Sequence, residues 1–447
     1  DQNKMIDNVG NYGADGIVGP HHEKEGSYYT VKQIWSPVQV TLGGQNEKLL
    51  LENGGCSQTY PYSGFEGGNI IIENRYDFLS LKDVRFDCSF VKFDANGSQI
   101  ITSKTIKGLD IAPGQKGSIQ IGPAPKDAEA LTIKATDNTG MEIFTWVFKM
   151  NDTNYDILAH KENRMRKPCP TYSDGVVNAD GTTFTFSTKD GTLQSVKTIN
   201  GEYKFGNGPR FFAYRRSDRS FDQFYNHDDS EAEKKKTTYT EYEDQGVFDK
   251  LTAKEGENDT LIVTASYRLG SLEKAEWHIA PNGTARLVYS YNFNGVVDLM
   301  GIIFDMPEGD VKNKQWLGYG PYRVWKNRLH GPQLGVWSND YNDPIPGESF
   351  EYPEFKGYFA GVQWMKIGTN NGTITMKPAD DTEYVGVFQP RDGRDRLLYT
   401  LPETGISFMQ VIPAVRNKVN TTDLNGPSAQ AVWVRGKHIG EVTFRFD

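Results

Sequence analysis

Cysteine is scarce in this chain. Cys56, Cys88 and Cys169 are too few for a disulfide framework, and no cysteine–histidine spacing suits zinc. No apolar run is long enough to cross a bilayer as a helix. Positive charge is also in deficit, with 49 lysines and arginines against 58 aspartates and glutamates and a net charge of −9. A surface of that sign disfavours nucleic acid and anionic membrane as partners. The one lysine run, 234–236, follows Asp228, Asp229, Glu231 and Glu233 and reads as a solvated loop. The N-terminus shows neither an initiator methionine nor a signal peptide. The chain is therefore expected to be a piece of a longer protein, with a bacterial periplasmic or secreted location favoured over the cytoplasm.

What the sequence does hold is turn and strand chemistry. It has 46 glycines, 12% aromatics and recurring Asn-Gly and Asp-Gly pairs, a composition that favours antiparallel sheet with many hairpins. At 447 residues it exceeds what one core supports, so two or more domains are expected. Tyr28, Val31 and Trp35 recur at helical spacing, between Gly26-Ser27 and the stop Ser36-Pro37, and mark one short amphipathic helix. From residue 37 to about 150, strand-like runs include 49–51, 69–73, 84–93, 118–121, 131–133 and 143–148. That count suits an immunoglobulin-like sandwich. Cys88 alternates with Phe86 and Phe90 and reads as a small core residue. Residues 151–175 are polar, contain Pro168 and Pro170, and read as a linker. A second and larger β region follows, with a hairpin at Pro281-Asn-Gly283 and a stripe of Leu287, Tyr289, Tyr291 and Phe293. Its chemistry concentrates in Trp316-Leu-Gly-Tyr-Gly-Pro-Tyr-Arg-Val-Trp-Lys-Asn-Arg328. Gly318 and Gly320 admit unusual backbone angles, Pro321 ends regular pairing, and aromatics alternate with cations. Such parts build a sugar site, since aromatic rings take the C–H faces of pyranoses. They also build a packed sandwich corner, which the residues alone favour.

The same stretch resembles the Trp-Leu-Gly-x-Gly-Pro-x-Glu-x-Tyr-x-Asp-Arg signature in the C-terminal β-sandwich of β-galactosidases of glycoside hydrolase family 2. Trp316, Leu317, Gly318, Gly320, Pro321 and Arg328 match, while Arg323, Trp325 and Asn327 stand where Glu, Tyr and Asp are usual. Asn74-Arg-Tyr-Asp-Phe78 and Leu109-Asp-Ile-Ala-Pro-Gly114 resemble motifs of the family's linker sandwich. Asp190-Gly191 before Leu193-Gln-Ser-Val196, and then Gly208-Pro-Arg210, resemble the opening of its terminal domain. Ala213-Tyr-Arg-Arg-Ser-Asp218 departs from the family pattern there. The opening segment is similar to the end of the catalytic (β/α)₈ barrel.

The resemblance implies a mainly β chain in four parts. Residues 1–36 would be the barrel tail, 37–150 an immunoglobulin-like β-sandwich, 151–175 a linker and 176–447 a β-super-sandwich. It implies a parent enzyme that hydrolyses a β-linked oligosaccharide, a galactoside, with retention. That chemistry needs two carboxyls about 5 Å apart, and in the family both are Glu residues upstream of this chain, so the chain alone is expected to be inactive. Asp15 falls where some relatives hold a sodium ion beside the sugar, so a sodium or other metal cation is expected in the parent active site. Tyr322, Arg323 and Trp325 are expected to face the cleft, and Trp364 and Trp433 are candidates for an aromatic that reaches it. Changes at 323, 325 and 327 suggest a different ligand, such as an acidic or branched oligosaccharide. Expected partners are that oligosaccharide, the remainder of the parent enzyme and a second copy in a homo-oligomer. Two other readings compete: a free-standing carbohydrate-binding module using Trp325, Trp337 or Trp364, and a structural β-array.

Overall fold

The computed structural model describes residues 17, 18, 22, 24, 26–42, 69–159, 167–216, 239–242, 246–340, 357–387, 404–414 and 426–447. The strand expected at 49–51 and Cys56 fall outside those residues. The chain is mainly β, as its composition implies, and among the described residues there is one α-helix, α1 (Gly26–Ile34). Every strand pairing among them is antiparallel.

A three-stranded sheet (Val38–Leu42, Asn69–Asn74, Lys116–Gln120) faces a four-stranded one (Gly97–Ile106, Arg85–Asp94, Ala130–Thr136, Glu142–Lys149). Phe86, Cys88, Phe90, Ile70, Ile72 and Trp146 meet between them. Burial pushes the Cys88 thiol up to about 11, which fits a packed rather than a reactive role. Asn74 joins two of the sequence motifs. Its Nδ2 donates to Leu79 O and Ile111 O, both at 2.8 Å, and its Oδ1 accepts from Tyr76 N at 3.0 Å.

The second pair of sheets is larger, with ten and nine strands. Their core is strongly aromatic; Phe205 stacks on Phe304 at 4.7 Å, and Trp277, Phe444 and Phe446 pack around them. The hairpin at Pro281-Asn-Gly283 forms as its sequence implies, closed by Gly283 N donating to Ala280 O at 3.0 Å and Ala280 N to Thr284 O at 2.8 Å. The stripe of Leu287, Tyr289, Tyr291 and Phe293 is core.

The two sandwiches meet through one strand that faces both. In Arg85–Asp94 successive residues point to opposite faces of the sheet. Phe86, Cys88 and Phe90 enter the small core, while Val91 and Phe93 lie on the other face and pack with Leu317, Leu334 and Trp364 of the larger sandwich. The neighbouring strand Gly97–Ile106 bulges at Ile101, which is skipped between the pairs Phe90–Thr102 and Val91–Ile100. Glu129, 3% exposed, sits at this seam. Its two oxygens accept from Phe93 N at 2.8 Å and Asn154 N at 2.7 Å. Gln363 Oε1 accepts from Thr153 N at 2.6 Å, Gln333 Oε1 from Val147 N at 3.0 Å, and Gln315 Nε2 donates to Ala95 O at 2.8 Å. Lys149 Nζ lies 2.5 Å from Asp381 and 2.6 Å from Asp152. Residues 151–159 thus run along the seam with Ile157 buried, although their polarity reads as a tether.

Replacing Glu129 by Ala leaves the buried Phe93 N–H without an acceptor, at a cost of about 1–3 kcal/mol, and also removes the part-buried bond from Asn154 N. Glu129→Ala is expected to lower the denaturation midpoint clearly more than Glu129→Gln, as urea titration would show. Equal midpoints would mean that the carboxylate does not tie the seam.

Candidate functional site

Of the described candidates, Tyr322, Arg323 and Trp325 lie in the signature loop at its junction with α1, while Trp364 and Trp433 lie elsewhere. The strand Val311–Gly320 carries Trp316 and Leu317 inward. Trp316 packs edge-on against Phe359 at 4.8 Å and donates from Nε1 to Tyr319 O at 3.2 Å. Gly318 and Gly320 are needed for close approach, not for unusual backbone angles: neither is among the glycines with positive φ. A Cβ on Gly320 would stand 2.5 Å from the Trp337 ring, and one on Gly318 would stand 3.0 Å from Ala360 O. Beyond Pro321 the loop is pinned to its surroundings. Val324 N donates to Tyr358 O at 2.8 Å and Tyr358 N returns the bond at 2.9 Å. Trp325 and Arg328 close a tight turn, with Arg328 N donating to Trp325 O at 2.9 Å. Lys326 N donates to Pro413 O at 3.1 Å, and its ammonium reaches Gln430 O.

Helix α1 is fastened onto this loop. Tyr29, Thr30 and Gln33 project from one side, as a spacing of three to four residues dictates. The Tyr29 ring lies 5.6 Å from that of Tyr322. Thr30 Oγ1 donates to His330 O at 2.8 Å, and Gly331 N donates to Gln33 Oε1 at 2.5 Å. Gly331 has φ 104°, and a Cβ there would fall 2.6 Å from Thr30 N. Both the angle and the clearance demand glycine. On its other flank Lys32 Nζ lies 2.8 Å from Glu142 Oε1 and 5.9 Å from the Phe144 ring. The helix therefore bridges the two sandwiches. Its C-terminal end leaves Trp35 79% exposed, with Ile34 also exposed.

Burial separates the candidate residues. Trp325 is 1% exposed and Trp364 0%, so neither offers a ring face to solvent within this chain. Trp364 belongs to the seam between the sandwiches. Arg323 is 5% exposed, with its guanidinium 5.0 Å from the Phe359 ring. Tyr322 is half-buried against Tyr29. Asp15 lies outside the described residues. A small cleft of ≈ 40 Å³ lies between Gln33, Trp146, Tyr319, His330 and Gln333. It has room for a few waters, not a pyranose. Among the described residues no group of three or more His, Cys, Asp or Glu could hold a metal. A buried cluster elsewhere ties the two large sheets. Glu383 Oε1 accepts from Tyr289 Oη at 2.5 Å and lies 2.7 Å from His438 Nε2. Burial and the Glu383 charge hold the Tyr289 phenol well above its ordinary value.

The contacts that fasten α1 carry no sequence signal. Thr30, Gln33, His330 and Gln333 are ordinary polar residues until the fold brings positions some 300 apart together.

Two tests follow from this geometry. Trp325→Ala and Trp364→Ala empty fully packed sites and are each expected to cost about 3–5 kcal/mol, read as a fall in Tm; unchanged Tm values would place the rings outside the core. Glu142 gives a pH test. Burial acts to raise its carboxyl, but the Lys32 hydrogen bond and charge outweigh it and the net shift is downward. A depressed folded pKa contributes stability above the unfolded value, about 4.3, and loses it as pH falls through the folded one. Lys32→Met is expected to be less stable than the wild type at neutral pH and to converge with it below about pH 4. A gap independent of pH would assign Lys32 to packing alone.

Comparison with known proteins adds the family. Residues 178–410, a little over half of the chain, match the family model described as the β-galactosidase small chain. No curated protein sequence matches. Solved structures are only loosely similar. The protein HI1317 gives a TM-score of 0.28 at 9% identity, over 61% of this chain and 92% of its own. A GalM/aldose epimerase homologue from C. elegans gives 0.26 at 7%, over 60% and 96%. Galactose 1-epimerase from Lactobacillus acidophilus gives 0.23 at 11%, over 73% and 96%. Scores this low decide nothing about fold or function. The match across residues 178–410 does decide the family: this chain belongs to the β-galactosidase small-chain family.

Proposed function

We propose that the chain is the C-terminal, non-catalytic part of a retaining β-glycosidase of glycoside hydrolase family 2. In this reading residues 1–36 end the catalytic barrel, 37–150 form the linker sandwich, 151–175 join it to the next part, and 176–447 form the terminal super-sandwich. The observation that carries the proposal is the fastening of α1 to the signature loop through Thr30–His330 and Gln33–Gly331. The segment read as the barrel's end is thereby part of the same packed body as the loop that bears the family signature. The barrel would sit against the exposed end of α1 at Ile34 and Trp35 and the neighbouring loop residues Phe78 and Leu79, all exposed. Arg75 N, which donates to Pro37 O at 2.7 Å, joins those two segments. An apolar surface of that kind marks a contact site. Tyr322 would be the loop's contribution to the sugar cleft, and the substrate a β-linked oligosaccharide, galactoside in type.

The purified chain is expected not to hydrolyse aryl β-galactosides, and turnover that stays with it through further purification would overturn the proposal. In the full-length enzyme, Tyr322→Ala is expected to raise KM several-fold while shifting Tm far less than Trp325→Ala does. An unchanged KM with a lowered Tm would make Tyr322 a packing residue only.

A further inference from the structure

The strands Ala285–Val297 and Val432–Phe446 pair along their whole overlap. For most of it other strands flank them. Beyond Asn292, whose N donates to Ser271 O, and Glu441, whose O accepts from Ala379 N, they pair only with each other among the described strands. Alternation fixes what each face of this ribbon shows. Phe293, Val297 and Val432 turn inward to the aromatic core. Outward stand Trp433, Arg435 and Lys437, with Val296, Asn294 and Asn292 opposite them in register.

Trp433 is 68% exposed. A residue that costly to hydrate is usually covered. Its neighbours add polarity without hiding it. Lys437 is paired with Glu273 at 2.6 Å, and Asn294 Oδ1 accepts from Gly436 N at 3.2 Å. The side chains of Arg435 and Asn292 make no hydrogen bond or ion pair with the described residues. The face thus presents an open indole, an uncommitted guanidinium one strand repeat away, roughly 7 Å, and an uncommitted amide. Glu273 is the acidic group nearest in these contacts, and it is already neutralised by Lys437.

We propose that this face is a surface subsite for an acidic β-linked oligosaccharide, with Trp433 stacking on one sugar ring, Arg435 taking a carboxylate and Asn292 a hydroxyl. The indole supplies the flat apolar face that pyranose C–H groups need, and the guanidinium supplies planar, bidentate recognition of a carboxylate. The choice of a saccharide rests on the glycosidase reading above. The choice of an acidic one rests on charge complementarity at Arg435. With a net charge of −9 the chain as a whole repels polyanions, so retention by one must come from a local site.

Native electrophoresis of the purified chain through gels containing polymannuronate, uncharged galactan or polyglutamate tests this directly. The wild type is expected to be retarded most by polymannuronate, less by galactan and not by polyglutamate. Trp433→Ala is expected to weaken binding to both glycans by about ten-fold or more, with an unchanged far-UV spectrum and Tm. Arg435→Ala is expected to abolish the preference for the acidic glycan and keep the galactan shift. Equal retardation by polyglutamate would reduce the effect to charge and overturn the proposal. So would wild-type migration unaffected by either glycan, or a Trp433→Ala variant that binds as the wild type does. A wild type that ignores glycans but self-associates through Trp433 would assign the face to a protein contact and also overturn it. Binding here requires no hydrolysis, so a negative result leaves the glycosidase reading standing, and loss of that reading leaves a measured binding constant intact.

Discussion

The seam between the sandwiches rests on a buried carboxylate. Glu129 has two oxygens and spends both on backbone N–H groups, one from the strand before it and one from the chain after it. That strand also presents Val91 and Phe93 on the face turned away from the small core. With polar residues at those two positions, Leu317, Leu334 and Trp364 would lose their apolar partners on the four-stranded sheet. Without the carboxylate, the buried Phe93 N–H would have no acceptor. Apolar contact and polar satisfaction are thus supplied at the same point by neighbouring residues.

Helix α1 depends on that seam at second hand. It touches Glu142 on one sandwich and His330 and Gly331 on the other. It can hold both only because the sandwiches are fixed relative to each other. A nine-residue helix is too short to be stable alone, so its order comes from what it bridges. The loop that bears the family signature is held from two sides. The helix covers it on one side, and Tyr358, Pro413 and Gln430 pin it on the other.

Much of the fold was legible in the sequence because antiparallel strands announce themselves by alternation. Phe86-Cys88-Phe90 and Leu287-Tyr289-Tyr291-Phe293 read directly as inward faces, and Asn282-Gly283 as a turn. The helix was legible from the spacing of Tyr28, Val31 and Trp35. Alternation also puts Val91 and Phe93 on the face opposite Phe86, Cys88 and Phe90, but two apolar residues there show only that something covers them, not what. The site was less legible. The alternation of positions 323, 325 and 327 suggests a shared face in an extended segment, but the loop tightens into a turn at Trp325–Arg328, and periodicity stops being informative where the strand stops. Trp364 reads equally well as a sugar platform or as core, because an indole serves both and only the neighbours decide. The residues that hold α1 act across several hundred positions of chain, a separation at which a single sequence has no pattern to show.

The order of strands in the nine-stranded sheet bears on how the chain is made. The strand Val432–Phe446 lies between Ala285–Val297 and Gly372–Pro378, so the two wings of that sheet touch each other through a strand synthesised after both. Until the ribosome has passed residue 446, each wing ends in an open, apolar edge at the place where the core is most aromatic. Phe444 and Phe446 then arrive together to fill it. A protein built this way gains its larger core late and nearly all at once. From residue 297 until residue 446 the nascent chain carries an unpaired strand edge, which is the condition under which chaperone holding and side reactions between chains compete with folding.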